Sequence, residues 1–458
     1  MSAAPAPWTA LGCLALAAGV TALLPEGGPL RAGLGLFALI GSLWLTQALP
    51  LSFTALLVPL LAVLAGVLTV REALAAFAQP VIFLFLGGFA LAAALSRQRL
   101  DHALALALLR LARGRTALAV LGLFGLTAVL SMWLSNTATA AMMLPLALGL
   151  LPDPQRGPPE ALSARRTRAF VLLGLAYSAS IGGMGTLVGS PPNAIAAAQA
   201  GIGFAQWLAI GLPLVAVLWP LMVGLLYLLL RPRFASAGAE TPRPDTEAPE
   251  PWTWTRERVL TLAIFGLTVT GWVAGAPLAR ALGLQADIDT LVALAAIALL
   301  GASGVLRWDD LERQTQWGVL LLFGGGLTLS QVMSVTGGSD FLAQGLMAWV
   351  AGAPTWLVLL ALVAFVVMLT ELVSNTASAA LIVPIALGMA PAWGLSPVAV
   401  AAAVAMSASC AFMLPVATPP NAIVYGSGGV SPRTMMRAGL GLNLLAIAVI
   451  TAVAPHWR

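Results

Sequence analysis

The sequence predicts an all-α polytopic membrane protein made of inverted repeats, with two re-entrant hairpins, broken helices and about 11 transmembrane segments. Three observations lead there. The first is composition: of 458 residues, 60% are hydrophobic and only 9% charged, with mean hydropathy +0.96. Soluble domains carry about 25% charged residues, so this chain cannot cover itself with a polar surface. The second is a duplication: "LSNTATAAMMLPLALGL" at 134–150 and "VSNTASAALIVPIALGM" at 373–389 are identical at 10 of 17 positions. The third is the placement of arginine, which makes the two copies face opposite ways. The ~10-residue alternating strands of a membrane β-barrel do not occur.

The elements follow in order. An apolar segment at about 8–24 has no Arg or Lys before it, so it reads as a first membrane helix rather than a cleavable signal. Spans at 33–49, 51–69 and 80–95 come next. In "SRQRLDHALALALLRLARGR", 96–115, Leu and Ala share one face and Arg the other, the pattern of a helix lying in the interface. Residues 116–151 carry no charge but are interrupted by Ser-Asn-Thr and Pro145, which suits a re-entrant hairpin. A polar loop, 152–168, precedes the span 169–200, whose "SASIGGMGTLVGSPPNAIA" is too rich in Gly and Pro for one continuous helix. A span at 206–230 closes the first half, 1–230. The Pro-rich stretch 231–258 is a cytoplasmic linker, read as a tether without chemistry. The second half, 259–458, has spans at 259–275, 288–305 and 317–333, then a second hairpin at about 355–390.

Three motifs recur in the same order. "FLGGFAL" at 85–91 is echoed by "FGGGLTL" at 323–329, the Ser-Asn-Thr runs are 239 residues apart, and "SPPNAI" at 190–195 matches "TPPNAI" at 418–423. All 22 basic residues are Arg, and the net charge of +5 reads as a topology signal rather than a nucleic-acid footprint. Arg97, Arg99, Arg110, Arg113 and Arg115 precede the first hairpin, and Arg156, Arg165, Arg166 and Arg168 follow it. Placing these nine in the cytoplasm leaves only Arg31, Arg71, Arg280 and Arg458 outside. The N-terminus is then cytoplasmic and the C-terminus external, in a bacterial inner membrane. Five crossings separate the hairpins, an odd number, so the second enters from outside, and its flanks 334–354 and 390–397 hold no Arg. Inverted repeats with broken helices place a binding site near the midplane, the architecture of a secondary transporter.

Ser, Thr and Asn in membrane helices often serve only as interhelical glue. Two copies at inverted positions, each paired with a Pro-Pro-Asn break, point instead to a ligand. Helix N-termini at the breaks offer N–H donors and partial positive charge to an anion. Unwound carbonyls and Asn, Ser and Thr oxygens suit a small cation such as Na⁺. No Arg falls in 116–151, 169–200 or 314–432, so a buried multivalent anion needs co-bound cations. Ser131 lies one helical turn before Ser135, and Thr370 one turn before Ser374, so each pair of hydroxyls shares a face.

Other polar positions admit two readings. Glu371, the one acid inside either hairpin, is either functional or a partner of water or backbone near the tip. Gly182, Gly183 and Gly185 permit a helix break or close packing. The 14 Trp read as interface anchors, Asp287 and Asp289 as an external loop, and His102 and His456 as solvated surface. Cys13 and Cys410 lie in separate apolar segments and predict no disulfide. An embedded enzyme would need a nucleophile, an acid–base pair or a metal cluster. The apolar segments hold no His and Glu371 has no acidic partner, so the chain reads as no enzyme.

The doubled Ser-Asn-Thr, the two Pro-Pro-Asn segments and "LWLTQALPLSFTALLVPLLA" (43–62) resemble the divalent anion:sodium symporter family over nearly the whole chain. The resemblance implies Na⁺-coupled symport of C4 dicarboxylates by an elevator mechanism. It also implies a homodimer in lipid, with scaffold and transport domains each drawn from both halves. One Na⁺ site falls to Ser131, Ser135, Asn136 and Gly189; the mirror site falls to Thr370, Val373, Asn375 and Ala417, where Val373 and Ala417 act through carbonyls. Substrate carboxylates fall to Ser135, Asn136, Thr137 and Ser190 in one half. The other half offers Ser374, Asn375, Thr376, Thr418 and Pro419. A dicarboxylate exchanger, or a carrier of sulfate or another divalent anion, would use the same motifs.

Overall fold

A computed structural model describes residues 7–24, 28–100, 103–104, 107, 115–151, 162–234, 253–283, 287–349 and 353–457. Most of the interfacial helix expected at 96–115, residues 152–161 of the loop expected at 152–168 and most of the linker lie outside the described residues, as do His102, Arg110, Arg113 and Arg156. Residues 162–168 are not loop but the first turns of the helix Leu162–Gly182. Among the described residues every regular element is helical.

Among the described residues seven helical stretches are long and apolar enough to cross a membrane: Pro29–Thr46, Val70–Arg97 (the short helix Val70–Ala75 and a 3-10 turn leading into Pro80–Arg97), Phe204–Leu230, Trp317–Val335, Thr355–Leu372, Asn375–Trp393 and Pro432–His456. Shorter apolar helices include Trp8–Leu23, Leu51–Leu64, Thr116–Ser131, Ile288–Ala302 and Pro397–Ala408. The protein is thus an all-α polytopic membrane protein.

The polar tripeptides end helices where the sequence pattern requires it. Thr116–Ser131 stops before Ser135, and Asn136–Gly149 starts after it with the Ser135 hydroxyl accepting the Ala138 N–H at 3.2 Å. In the other half Thr355–Leu372 stops, Ser374 is the N-cap, and Asn375–Met389 runs back. The Pro-Pro-Asn segments restart helices. Leu162–Gly182 breaks and resumes as Pro191–Ala200; Pro397–Ala408 breaks and resumes as Pro419–Gly426. Proline lacks the N–H that a continued helix would need, yet it is pre-set for the first helical turn.

The two halves interlock. Each hairpin's first arm packs on the broken helix of its own half, Thr116–Ser131 on Leu162–Gly182 and Thr355–Leu372 on Pro397–Ala408. Each short helix after a break crosses to the other half's hairpin, Pro191–Ala200 onto Asn375–Met389 and Pro419–Gly426 onto Asn136–Gly149. Flanking helices pair in the same reciprocal way, Leu51–Leu64 with Trp317–Val335 and Pro80–Arg97 with Ile288–Ala302.

Two minor expectations are corrected. Trp44, Trp207 and Trp272 are fully buried core residues, because each indole N–H finds a carbonyl inside: those of Leu51, Met184 and Asp289. Asp287 and Asp289 open the helix Ile288–Ala302 instead of lying in a loop. Asp287 caps Thr290 N at 3.3 Å, and Asp289 accepts the Phe204 N–H at 2.7 Å, tying the starts of two helices. Cys13 and Cys410 are free thiols. His456 is exposed.

Candidate functional site

Four helix N-termini converge on one cavity of about 330 Å³. Ser135, Asn136 and Thr137 bring the first hairpin's tip to its wall, and Ser374, Asn375 and Thr376 the second's. Ser190 and Thr418, the caps of the two helices that resume after the breaks, line it with Pro419, Gly189, Val373 and Ala417. Of the ion and substrate ligands expected from the sequence, Ser131 and Thr370 stand back from the wall, as do Glu371 and the glycines Gly182, Gly183 and Gly185. Ser131 and Thr370 are fully buried behind it.

The places behind the wall mirror each other. Ser131 Oγ lies 2.7 Å from Asn136 Oδ1 and 2.6 Å from the Ala179 carbonyl oxygen. Thr370 Oγ lies 2.8 Å from Asn375 Oδ1 and 2.7 Å from the Ala408 carbonyl oxygen. A hydroxyl carries one hydrogen and can donate to only one of its two neighbours. Each cluster therefore holds more oxygen lone pairs than protons, the donor set a hard cation takes. Ala179 and Ala408 were invisible to motif reading, because their contribution is a carbonyl that any residue supplies.

The breaks are tied by the Asn of each Pro-Pro-Asn. The Asn193 side-chain NH₂ donates to the carbonyls of Gly183 (2.9 Å) and Thr186 (2.7 Å). The Asn421 NH₂ donates to those of Ala411 (3.1 Å) and Leu414 (3.0 Å). Glycine is needed at the first break for proximity. A Cβ on Gly182 would sit 2.2 Å from the Ala128 carbonyl oxygen, and one on Gly183 2.4 Å from Asn136 Oδ1. Glu371 is buried and turned away from water: its carboxylate accepts three backbone N–H groups of the second break.

Among the described residues no cationic side chain lines the cavity. Each helix N-terminus carries roughly half an elementary positive charge, so four of them sum to about two. These are partial charges spread around the wall, so without Arg they offset a small dianion only in part. A second cavity of about 390 Å³ shares Ser135 and Gln316 with the first and adds Ser96, Arg99 and Gln314. It is a vestibule with one cation at its rim. A third, of about 500 Å³, lies at the opposite ends of the same helices, between Gln79, Gln199, Ser330 and Asp340. Gln47 and Gln316 also face the central cavity. Sequence reading assigned them no role, although Gln47 falls within the stretch 43–62. Its left-handed backbone (φ 51°) ends the helix Pro29–Thr46 beside the site.

A doubled, interlocked helical scaffold whose two hairpin tips and two helix breaks meet at one cavity is the architecture of a membrane transporter. The citrate transporter family, CitMHS, matches residues 42–405, and the chain belongs to it. The resemblance to divalent anion:sodium symporters seen in the motifs holds. The chain is 47% identical over 438 residues to an uncharacterized transporter of Haemophilus influenzae, covering 94% of this chain and 92% of that one. It is 32% identical over 434 residues to the sodium-dependent dicarboxylate transporter SdcS of Staphylococcus saprophyticus, covering 90% and 83%. In fold it is similar to the YdaH transporter of Alcanivorax borkumensis, with TM-score 0.58, 16% identity and coverage of 98% and 96%. Like its family, the protein is a transporter and not an enzyme.

Proposed function

We propose that the protein is a Na⁺-coupled symporter of C4 dicarboxylates of the succinate, malate and fumarate class, working in a bacterial inner membrane. The observation that carries this reading is the pair of mirrored oxygen clusters, at Ser131 and at Thr370, flanking a cavity where four helix N-termini meet. Two Na⁺ ions take the clusters, and the dianion takes the N-termini between them. Each cation lowers the cost of burying the anion beside it, so neither binds well alone. Relatives named sodium-dependent dicarboxylate transporters share 32–33% identity with this chain, which supports the choice of ion and substrate class.

With the Arg-rich face in the cytoplasm, the Arg99 vestibule opens inward and the Gln79 cavity outward. The hairpins and broken helices form the transport domain, the flanking helices a dimeric scaffold, and an elevator movement carries the site between the two sides. The measurement that tests the reading is uptake into proteoliposomes with and without a Na⁺ gradient, competed by succinate, malate, fumarate, citrate and sulfate. Succinate-type dianions should compete best, and uptake should vanish when choline replaces Na⁺. Undiminished uptake in choline would make the protein an exchanger. Competition by sulfate alone would replace the substrate class.

A further inference from the structure

Glu371 is the only buried acid among the described residues, and it does not line the cavity. Its surroundings are all donors. Oε1 accepts the N–H of Phe412 at 2.7 Å, the N–H of Met413 at 2.8 Å and the Asn443 side-chain NH₂ at 2.7 Å. Oε2 accepts the N–H of Leu414 at 3.1 Å. Three successive backbone N–H groups of the second break are thus gathered on one side chain.

The first half makes the same contact in the same direction, break to hairpin, with the side-chain and backbone partners exchanged. The repeat offsets, 239 at the hairpins and 228 at the breaks, make Glu371 the counterpart of Met132 and Leu414 the counterpart of Thr186. The Thr186 hydroxyl donates to the Met132 carbonyl oxygen, so the break supplies the donor side chain and the hairpin an acceptor. In the second half Leu414 has no donor side chain, and Glu371 reaches across from the hairpin as the acceptor. The contact between the two positions is kept while its side-chain partner changes sides. Thr370, the preceding residue, pins the entrance of the same break through the Ala408 carbonyl. Asn421 holds the Leu414 carbonyl from beyond it. The path from Glu371 through 412–414 to Ala417 is therefore a short, hydrogen-bonded one.

We propose that Glu371 is a positioning residue for the cation site of the second half: by gathering the N–H groups of residues 412–414 it sets where the break offers its carbonyls to the cation at Thr370 and Asn375. This rests on the symport reading. In the first half the corresponding brace is the Thr186 hydroxyl on the Met132 carbonyl and not a carboxylate, so the two sites differ in what perturbs them.

Cys410, buried within the second break with its thiol on the Met406 carbonyl, reports on the brace directly. The experiment uses the full-length protein in a Cys13→Ser background. It compares N-ethylmaleimide labelling of Cys410 with the Na⁺ concentration for half-maximal uptake. In Glu371→Gln an NH₂ replaces one acceptor and opposes an N–H of the break. Labelling should accelerate, and half-saturation by Na⁺ should rise, each by about tenfold, the equivalent of one lost charged hydrogen bond. Asn443→Ala leaves three of the four donors and should shift both readouts the same way by less, which keeps the test decisive should Glu371→Gln fail to fold. Trp207→Phe loosens only the first break, where the indole donates to the Met184 carbonyl, and should leave Cys410 labelling at the wild-type rate. Unchanged labelling in Glu371→Gln and Asn443→Ala overturns the proposal. So does faster labelling with unchanged Na⁺ half-saturation, which makes Glu371 a brace of the fold alone. Na⁺-independent uptake by the wild type overturns the symport reading itself, whereas Na⁺-dependent wild-type uptake with unaltered variants removes only the role of Glu371.

Discussion

Ser131 and Thr370 show how much one hydroxyl can carry when its neighbours are oxygens. Each is fully buried, and each lies within 2.8 Å of an Asn side-chain oxygen and of a carbonyl oxygen. A merely structural hydroxyl contributes about 1 kcal/mol as a hydrogen bond. A cation ligand contributes to Na⁺ affinity instead. Ser131→Ala and Thr370→Val should each raise the Na⁺ concentration for half-maximal uptake by roughly tenfold, about 1.4 kcal/mol, with little change in the unfolding midpoint. Titrating uptake against Na⁺ in proteoliposomes checks this, and a lower midpoint with unchanged Na⁺ dependence would return both residues to the role of glue. Helical spacing paired Ser131 with Ser135 and Thr370 with Ser374, but the helices end at Ser131 and Leu372, and the two hydroxyls meet Asn136 and Asn375 instead. The third oxygen of each cluster was not legible, since a carbonyl leaves no mark on residue identity.

At the scale of the element, the breaks matter more than the helices. Leu162–Gly182 approaches Thr116–Ser131 closely where Gly182 has no side chain: an added Cβ would meet the Ala128 carbonyl at 2.2 Å. Backbone cannot retreat as a flexible side chain can, and overpacking of this kind costs about 1–3 kcal/mol. Gly182→Ala should therefore lower the thermal unfolding midpoint in detergent and weaken Na⁺ dependence, because the first oxygen cluster lies three residues away at Ala179. Gly224, within Phe204–Leu230, has nothing within 4 Å of an added Cβ, and Gly224→Ala should leave the midpoint unchanged or raise it. The interruptions were readable because Pro-Pro cannot continue a helix, and at the first break a cluster of glycines precedes it. The short helices Val70–Ala75, Gly275–Leu282, Trp308–Gln314 and Gly338–Trp349 were not. Pieces so short have no long apolar run, and their packing holds them.

For the whole molecule, the question is which way the halves face. The Arg count puts the residues beginning Leu162–Gly182 inside and those of Gly338–Trp349 outside. Leu162 and Phe341 are exposed, at 65% and 47%. In a background lacking Cys13 and Cys410, Phe341→Cys should react with an impermeant maleimide in whole cells. Leu162→Cys should react only after permeabilisation. Equal reaction at both would contradict inverted repeats. Pro191–Ala200 and Pro419–Gly426 cross onto the opposite hairpins, so each half supplies part of the wall of the cavity they share.

By itself the sequence determined the membrane class, the duplication and the residues at the tips and breaks. Those properties are carried by apolar runs, by proline and glycine, and by the sign of flanking charge, all local features of the chain. It also placed Glu371 correctly as the only acid in a hairpin while leaving its partner open between water and backbone. Only the tertiary structure decided that question, because the N–H groups of 412–414 lie about 40 residues onward and belong to residues whose side chains say nothing of hydrogen bonding. The same holds for the convergence of four helix N-termini on one cavity. Ser135, Ser190, Ser374 and Thr418 are far apart in the chain, and the packing of helices from opposite halves brings their four ends together.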